Sequence, residues 1–487
     1  MDIRKYKNFE YSAINFSALE GRLRIDAEFY HPEYLRVYDA VTSKKYKTLG
    51  NLDTVILHPS EIKREYSDEG VTFFRTQNLR PLNITFESSE VFISSDDAKK
   101  LKSNLVNHGD VVITRTGANF GDTAIYFGQR EPLIASSHIL IVRTKKVNPF
   151  YLGVFLNSFY GRKLIDKGMY GGLQPEIAPS YLYTIPIPVV SKKFQNEIQQ
   201  LVETSYSLQQ KALKEYKAAE DMLFKELNLD TWKPKKIKFK NYKVQFEIED
   251  NHSIIKLSTM LKGDRLDAEF WDAACLELLE RLSKFETTKL RSEIVIKNGF
   301  PFQSKQFIEV GEGEPFIRIR DCKPHFIQTA DLTKLDNDYV RKLKLTKANT
   351  GDIVIGMDGL KWFYSSLVVE PVYVNQRVCH IQIKPKSQFT SEYILLVINS
   401  KIGQMQLLRQ MTIADTVGHI KNTDVAGLII PVSKNVKAIT KKVKSVQLAE
   451  QQSKSLIDVA KKAVEIFIEQ DEKEAFKHIK NEQNKVK

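Results

Sequence analysis

From residue 191 to 227, apolar and small side chains recur at alternating steps of four and three: Ile198, Val202, Ser205, Gln209, Ala212, Tyr216, Ala219 and Leu223. No Gly or Pro interrupts the stretch, strong helix formers fill it, and Ser191 stands where an N-cap belongs. The spacing predicts one long helix with a coiled-coil seam that is imperfect in its middle. A second stretch begins at Ser433 and carries Ile439, Val443, Val446, Glu450, Ser453, Ile457, Ala460 and Val464. Each lies 241 positions after its counterpart, as Ile439 does after Ile198. Two helices with one seam are expected to zip against each other.

Upstream of each helix the pattern becomes short β runs broken by turn residues. Asp26-Ala27-Glu28-Phe29 matches Asp267-Ala268-Glu269-Phe270 at an offset of 241. TFFRTQNLRP at 72–81 matches PFIRIRDCKP at 315–324, at 243. Gly109-Asp110 feeds Val111-Val112-Ile113 as Gly351-Asp352 feeds Ile353-Val354-Ile355, at 242, and a Gly-Asp turn before a β-branched run predicts a strand start. His138-Ile139 matches His380-Ile381, and Tyr151 matches Tyr393, both at 242. Ile185-Pro186-Ile187-Pro188 matches Leu428-Ile429-Ile430-Pro431 at 243, just before each helix. Such a steady offset marks a tandem duplication. Each copy is expected to be a mixed, mostly β domain of about 165 residues followed by one long helix, an α+β fold. The expected boundaries are a first domain at 1–190, a helix at 191–228, a basic linker at 229–263, a second domain at 264–432, a helix at 433–470 and a charged, fraying tail at 471–487.

Charge narrows the partners. Lys and Arg number 73 against 60 Asp and Glu, a formal charge of +13. That excess favours a polyanion, with nucleic acid ahead of an acidic membrane surface. The linker segment TWKPKKIKFKNYK, with Lys233, Lys235, Lys236, Lys238, Lys240 and Lys243, reads as a phosphate-tracking arm, as a solvated connector or, from the alternation in KIKFKNYKVQFEI, as an exposed edge strand. The first residues, MDIRKYKNFEYS, lack the apolar core of a signal peptide, and no apolar run reaches membrane-span length. Cys275, Cys322 and Cys379 form no CxxC pair and the nine His show no ligand spacing, so structural zinc is not expected. A cytoplasmic chain with reduced thiols fits best.

Catalytic signatures are sparse. The chain has no Gly-Lys dipeptide, hence no P-loop, and no Pro-Pro dipeptide, hence no Asn-Pro-Pro-aromatic loop of amino-group methyltransferases. Asp53, Glu61 and Lys63 superficially match the acidic pair plus Lys of a metal-dependent nuclease, without an equivalent in the second copy.

A Phe-x-Arg-x-x-(Asn/Asp) strand end, a Gly-Asp strand followed by Gly, an (Ile/Leu)-x-x-Pro closing strand and a long helix, all duplicated, resemble the specificity subunit of Type I restriction–modification systems. The resemblance covers nearly the whole chain and rests on the order and duplication of weak motifs. It implies two target recognition domains, each reading half of a split double-stranded DNA site, and two helices joined as an antiparallel coiled coil. It also implies docking of two methyltransferase subunits on those helices, with restriction/translocase subunits joining the complex. On this reading the chain is non-catalytic, carries no cofactor of its own and touches no membrane. S-adenosylmethionine, ATP and Mg²⁺ belong to partner chains. A related fused methylase–nuclease, another phage-defence methylase, a stand-alone nuclease and a non-DNA scaffold are the rival readings. A helix of about 36 residues spans about 54 Å, or roughly 16 base pairs.

Comparing the copies nominates reading residues, because matched positions belong to scaffold and unmatched polar positions in the same loops suit different bases. The pairs are Gln77 against Arg320, Asn78 against Asp321, Arg115 against Met357 and Asn119 against Lys361. Arg80, Thr116, Lys323 and Asp358 lie in the same loops and join the candidate DNA-binding set. Arg75 and Arg318 share one seat and either meet phosphate or pair with a carboxylate. His138 and His380 read as structural strand residues. RTGANFG and YGGLQPEI in the first copy, with Tyr170, Gly171, Gly172 and Gln174, read as a flexible reading loop or a plain turn. The second copy has Met357-Asp358-Gly359-Leu360-Lys361-Trp362 and TVGHIKNT at 416–423 in their places.

Overall fold

In a computed structural model, the two seams lie on α1 (Lys192–Glu226) and α2 (Val436–Glu469). The structure describes residues 12–16, 19, 24–63, 65–67, 69–86, 90–172, 174–233, 265, 267, 270–308, 311–327, 329, 332–414 and 417–486. The basic run from Lys235 onward, Ala268, Glu269 and Thr416 lie outside the described residues. The chain divides into two units, residues 1–209 with 451–487, and residues 210–450.

In the first unit the Gly-Asp turn works as expected. Gly109 adopts φ +85°, and Asp110 Oδ2 accepts the Asn107 amide at 2.8 Å. The chain then enters a four-stranded antiparallel sheet ordered β1 (Thr54–Leu57), β4 (Ile139–Thr144), β2 (Val111–Thr114), β3 (Thr123–Ile125). Val111, Ile113, Leu140 and Val142 face one core, with helix Pro149–Asn157 and both long helices. Val112, Ile139 and Ile141 face another, with Phe74, Leu133 and Tyr126. A sheet buried on both faces needs continuous apolar strands, which is why VVI shows no alternation. A second four-stranded sheet joins Phe92–Ile93, Val71–Phe74, Leu133–Ala135 and Leu105–Val106.

The second unit repeats this plan. Gly351 has φ +89°, and Asp352 Oδ2 accepts the Asn349 amide at 2.8 Å. Its main sheet runs β7 (Ile294–Asn298), β10 (Val378–Ile383), β8 (Ile353–Gly356), β9 (Ser365–Leu367), with His325–Phe326 added in parallel at the edge. The α+β expectation holds: two strand-rich units with long helices. Tyr151 Oη donates to Pro188 O at 3.1 Å and Tyr393 Oη to Pro431 O at 2.7 Å. The matched Tyr and Pro positions are therefore one contact, closing each domain onto the start of its helix.

Register corrects one match. Ile139 pairs with Thr114, whereas Val378 pairs with Gly356. Thr114 and Gly356 keep the 242 offset, so the structural partner of His138 is Arg377, and that of His380 is Ile141. The second copy lacks three residues ahead of β10 and regains them after it. His380 is buried, with Nε2 2.8 Å from Asp352 Oδ2, as a structural His should be. Burial alone would raise the Asp352 pKa, but hydrogen bonds from His380, the Asn349 amide and Gln382 leave it lowered. His138 instead stands exposed.

Within each unit the helices run antiparallel. In the first, Ile198, Val202 and Ser205 bury against Ala460 and Val464, and Ser205 Oγ lies 2.8 Å from Ser453 Oγ. In the second, Ala212, Ala219, Leu223, Ile439, Val443 and Val446 are buried, and Lys442 Nζ meets Glu215 at 2.8 Å. Glu226 accepts from Ser433, the Lys434 amide and Asn435 at the start of α2. Two seam positions shift: Leu456 buries in place of half-buried Ile457, and half-buried Tyr216 packs against the His325 ring at a tilt of 39°, with centroids 4.2 Å apart. The charged tail is helical. It forms α3 (Glu472–Val486), whose Ala475 and Ile479, four apart, bury on one face while Phe476 packs edge-on against Phe194. Among the described residues, no helix is long and apolar enough to cross a membrane. The three cysteines are free and buried.

Candidate nucleic-acid interface

The site in the first unit is built where β2 ends. Thr116 bridges to Glu176 across to the hairpin of β5 (Met169–Tyr170) and β6 (Glu176–Ile177), and the Ile177 amide donates to Arg115 O at 3.2 Å. Side chains lock the junction. Arg115 Nη2 donates to Glu176 Oε2 at 2.7 Å, and Tyr170 Oη donates to the same oxygen at 3.0 Å. Thr116 Oγ1 lies 2.6 Å from His138 Nδ1. Asn119 Nδ2 donates to Thr76 O at 3.3 Å, tying in the 75–80 turn. Arg115, Thr116, Asn119, Tyr170 and the 75–80 turn are thus brought together, with Gln77 and Gln174 exposed beside them. His58 joins them, its pKa lowered by burial and by the neighbouring Arg115 cation.

The second unit builds the same junction from other residues. Asp358 bridges to His419 on the hairpin of β11 (Thr412–Ala414) and β12 (Val417–His419), and the Ile420 amide donates to Met357 O at 3.0 Å. The two loops hold the same backbone relation despite their different sequences. His419 Nδ1 lies 2.7 Å from Asp358 Oδ1, and Arg377 Nη1 approaches the same oxygen at 3.9 Å. One carboxylate sits between a cation and a second polar group in each unit, on the hairpin in the first and on the strand-end loop in the second. Lys361, Lys323 and Arg320 are exposed nearby, since the 319–322 turn lies against Gly356 at the end of β8.

Some nominated residues have other duties. Asn78 is fully buried; its Oδ1 accepts the Arg75 amide at 3.0 Å and its Nδ2 donates to Thr85 O at 3.0 Å. Asp321 Oδ2 accepts the Arg318 amide at 2.8 Å in the same way. Asn and Asp differ here yet perform one turn-closing job. Arg318 donates to Thr333 and lies over Phe307 and Phe316, and Arg75 lies over Tyr66, which makes both parts of their own turns. Arg80 folds back onto Leu79 O at 2.7 Å. The nuclease triplet does not assemble: Asp53 and Glu61 flank opposite ends of β1, and Glu61 hydrogen-bonds Ser137. Among the described residues, no group of three or more His, Cys, Asp or Glu is placed to hold a metal. His58, Glu176, Arg377 and His419 escaped the sequence reading, and His138 reads there as structural, because long-range strand pairing is what brings these side chains in.

The repeated Asp-Ala-Glu-Phe motif holds the hairpins. Arg24 pairs with both oxygens of Asp26 and donates through Nη2 to Met169 O at 3.1 Å, at the first residue of β5. That guanidinium holds the Asp26 pKa low. Arg265 likewise pairs with Asp267 and reaches Gln410 O and Met411 O, just ahead of β11. Phe29 lies under Arg24 and Lys167, and Phe270 under Arg265 and Arg409.

No family model matches the chain. Over 136 residues, 28% of this chain, it is 26% identical to the EcoBI specificity subunit of a Type I restriction enzyme from Escherichia coli. The chain resembles Type I specificity subunits. The match spans about a quarter of that relative's length, 26%. Among solved structures, the Type I S subunit from M. genitalium is 12% identical, with 89% of this chain and 95% of that chain covered and a TM-score of 0.34. The HsdS subunit from Thermoanaerobacter tengcongensis is also 12% identical, with coverages of 90% and 97% and a TM-score of 0.26.

Proposed function

We propose that the chain is the DNA-reading subunit of a Type I restriction–modification complex and directs it to a bipartite double-stranded site. The observation that carries this reading is the pair of matched junctions. Two copies of one backbone platform present different polar side chains, Arg115, Asn119 and Tyr170 in one and Asp358, Lys361 and Arg377 in the other. Identical scaffolds with unlike tips are what reading two unlike half-sites requires. The net charge of +13 supplies the attraction for phosphate. Two linked readers gain specificity because both must be satisfied at once.

The long helices dock methyltransferase subunits in this reading, and Leu213 and Leu448 stand exposed on α1 and α2. The chain itself acts without catalysis in the cytoplasm, and S-adenosylmethionine, ATP and Mg²⁺ are used by partner chains. The decisive experiment is methylation of genomic DNA by the chain with its partner subunits, followed by sequencing of modified bases. The expected result is one two-part motif with a fixed gap. A continuous motif, or modification unchanged when this chain is omitted, overturns the proposal.

A further inference from the structure

The two junctions differ in one respect that polar recognition does not explain. In the second unit Leu360 (57% exposed), Trp362 (45%), Ile413 (57%) and Val417 (48%) stand out from the strand-end loop and the hairpin. The same segments of the first unit expose Tyr170, whose hydroxyl is held by Glu176, together with Gly171, Gly172, Ala118 and Gln174.

The aromatic in the loop is displaced by one residue. At the 242 offset Trp362 corresponds to Phe120, which is buried in the core of its unit. In the second unit the next residue, Phe363, is the fully buried one, and its amide donates to Gln404 Oε1 at 2.9 Å. The core is therefore filled without Trp362, and the indole stays half-exposed at the surface, parallel to the Tyr364 ring with centroids 6.5 Å apart. The backbone beneath it is tight. The Gly359 amide donates to Gly418 O at 2.9 Å, and a Cβ on Gly418 would come within 2.4 Å of Gly359 O. A closely packed loop–hairpin backbone thus carries exposed apolar side chains beside Lys361 in the same loop, with Arg377 reaching Asp358 of that loop.

Apolar surface on a soluble chain marks an interaction site. Cations around it match a polyanion, and apolar wedges flanked by cations are how proteins stack on or part base steps. We propose that the second unit engages its half-site through this apolar tip, with Trp362 pressed against the base stack and Leu360, Ile413 and Val417 around it. The first unit reads by hydrogen bonds alone. This inference rests on the DNA-reading function above.

The test uses the full chain with its partner subunits, as wild type, Trp362→Ala and Trp362→Phe, selecting from a random duplex library. Wild type recovers two motif parts. Trp362→Ala blurs one part only and weakens binding to the recovered duplex about tenfold or more, while Trp362→Phe retains both. A 2-aminopurine in the affected part brightens with wild type and Trp362→Phe but not with Trp362→Ala. Both parts intact with Trp362→Ala, or loss of partner association with the motif unchanged, overturns this inference and leaves the DNA-reading function standing. No motif from wild type overturns both.

Discussion

The Arg115–Glu176 pair offers the sharpest test of which face meets DNA. Both side chains are partly exposed, at 20% and 29%, so the ion pair contributes only about 0.2–1 kcal/mol in the free protein. Replacing Glu176 with Gln removes a negative charge from the junction and releases Arg115 from its 2.7 Å partner. Arg115→Ala does the reverse. If the junction faces the duplex, each unit of charge changes the slope of log K against log salt by about 0.9. Glu176→Gln steepens the dependence, and raises non-specific affinity by up to about fivefold at low salt. Arg115→Ala makes it shallower and, where the guanidinium reaches a guanine edge, costs a further 1–3 kcal/mol or so at one motif position. Between 50 and 200 mM salt, one contact is worth roughly a 3.5-fold change in affinity. Fluorescence anisotropy with a non-specific duplex and with the genomic motif, at four salt concentrations, separates the two terms. Slopes within about 0.2 of wild type for both variants, with the motif unchanged, would refute the placement of this face on DNA.

Three further outcomes are expected. The Ser205–Ser453 hydroxyl pair is buried in the seam, so either Ser→Ala costs about 1–3 kcal/mol and the double variant costs little more than one alone, a coupling of about 1–3 kcal/mol read from urea midpoints. Asn78→Ala strands the Arg75 amide and Thr85 O and destabilises its unit by about 2–4 kcal/mol, whereas Asp321→Asn keeps the acceptor and changes stability by less than about 1 kcal/mol; limited proteolysis of each unit measures both. The folded-state pKa of His58 lies below its ordinary 6.5, so the unfolded chain takes up a proton first. Stability of the first unit is therefore intact above pH 6.5 and falls as the pH drops below it, and His58→Gln flattens that part of a melting-temperature profile.

Local signals carried the sequence reading far. The Gly-Asp starts, the Ser191 cap (whose Oγ accepts the Phe194 amide at 3.1 Å) and the helix seams depend on neighbours within a turn or two. Part of what failed depended on pairing across the chain. A constant offset equated His138 with His380, but a three-residue difference in loop length moved the register. Asn78 and Asp321 differ in sequence, but in the structure each supplies the same side-chain oxygen that accepts an amide and closes its turn. In the charged tail, composition hides the four-residue spacing of Ala475 and Ile479, which the helix buries on one face. Glu176 and His419 become visible as site residues only once the hairpins are seen to bridge Thr116 and Asp358.

The grip of Arg24 on Met169 O, and of Arg265 on Gln410 O and Met411 O, falls on main-chain oxygens alone. Such a latch is blind to the side chains of the strip it holds. Under the proposed DNA-reading function, side chains at either tip can therefore change which bases they meet while the latch beneath them keeps the same main-chain contacts.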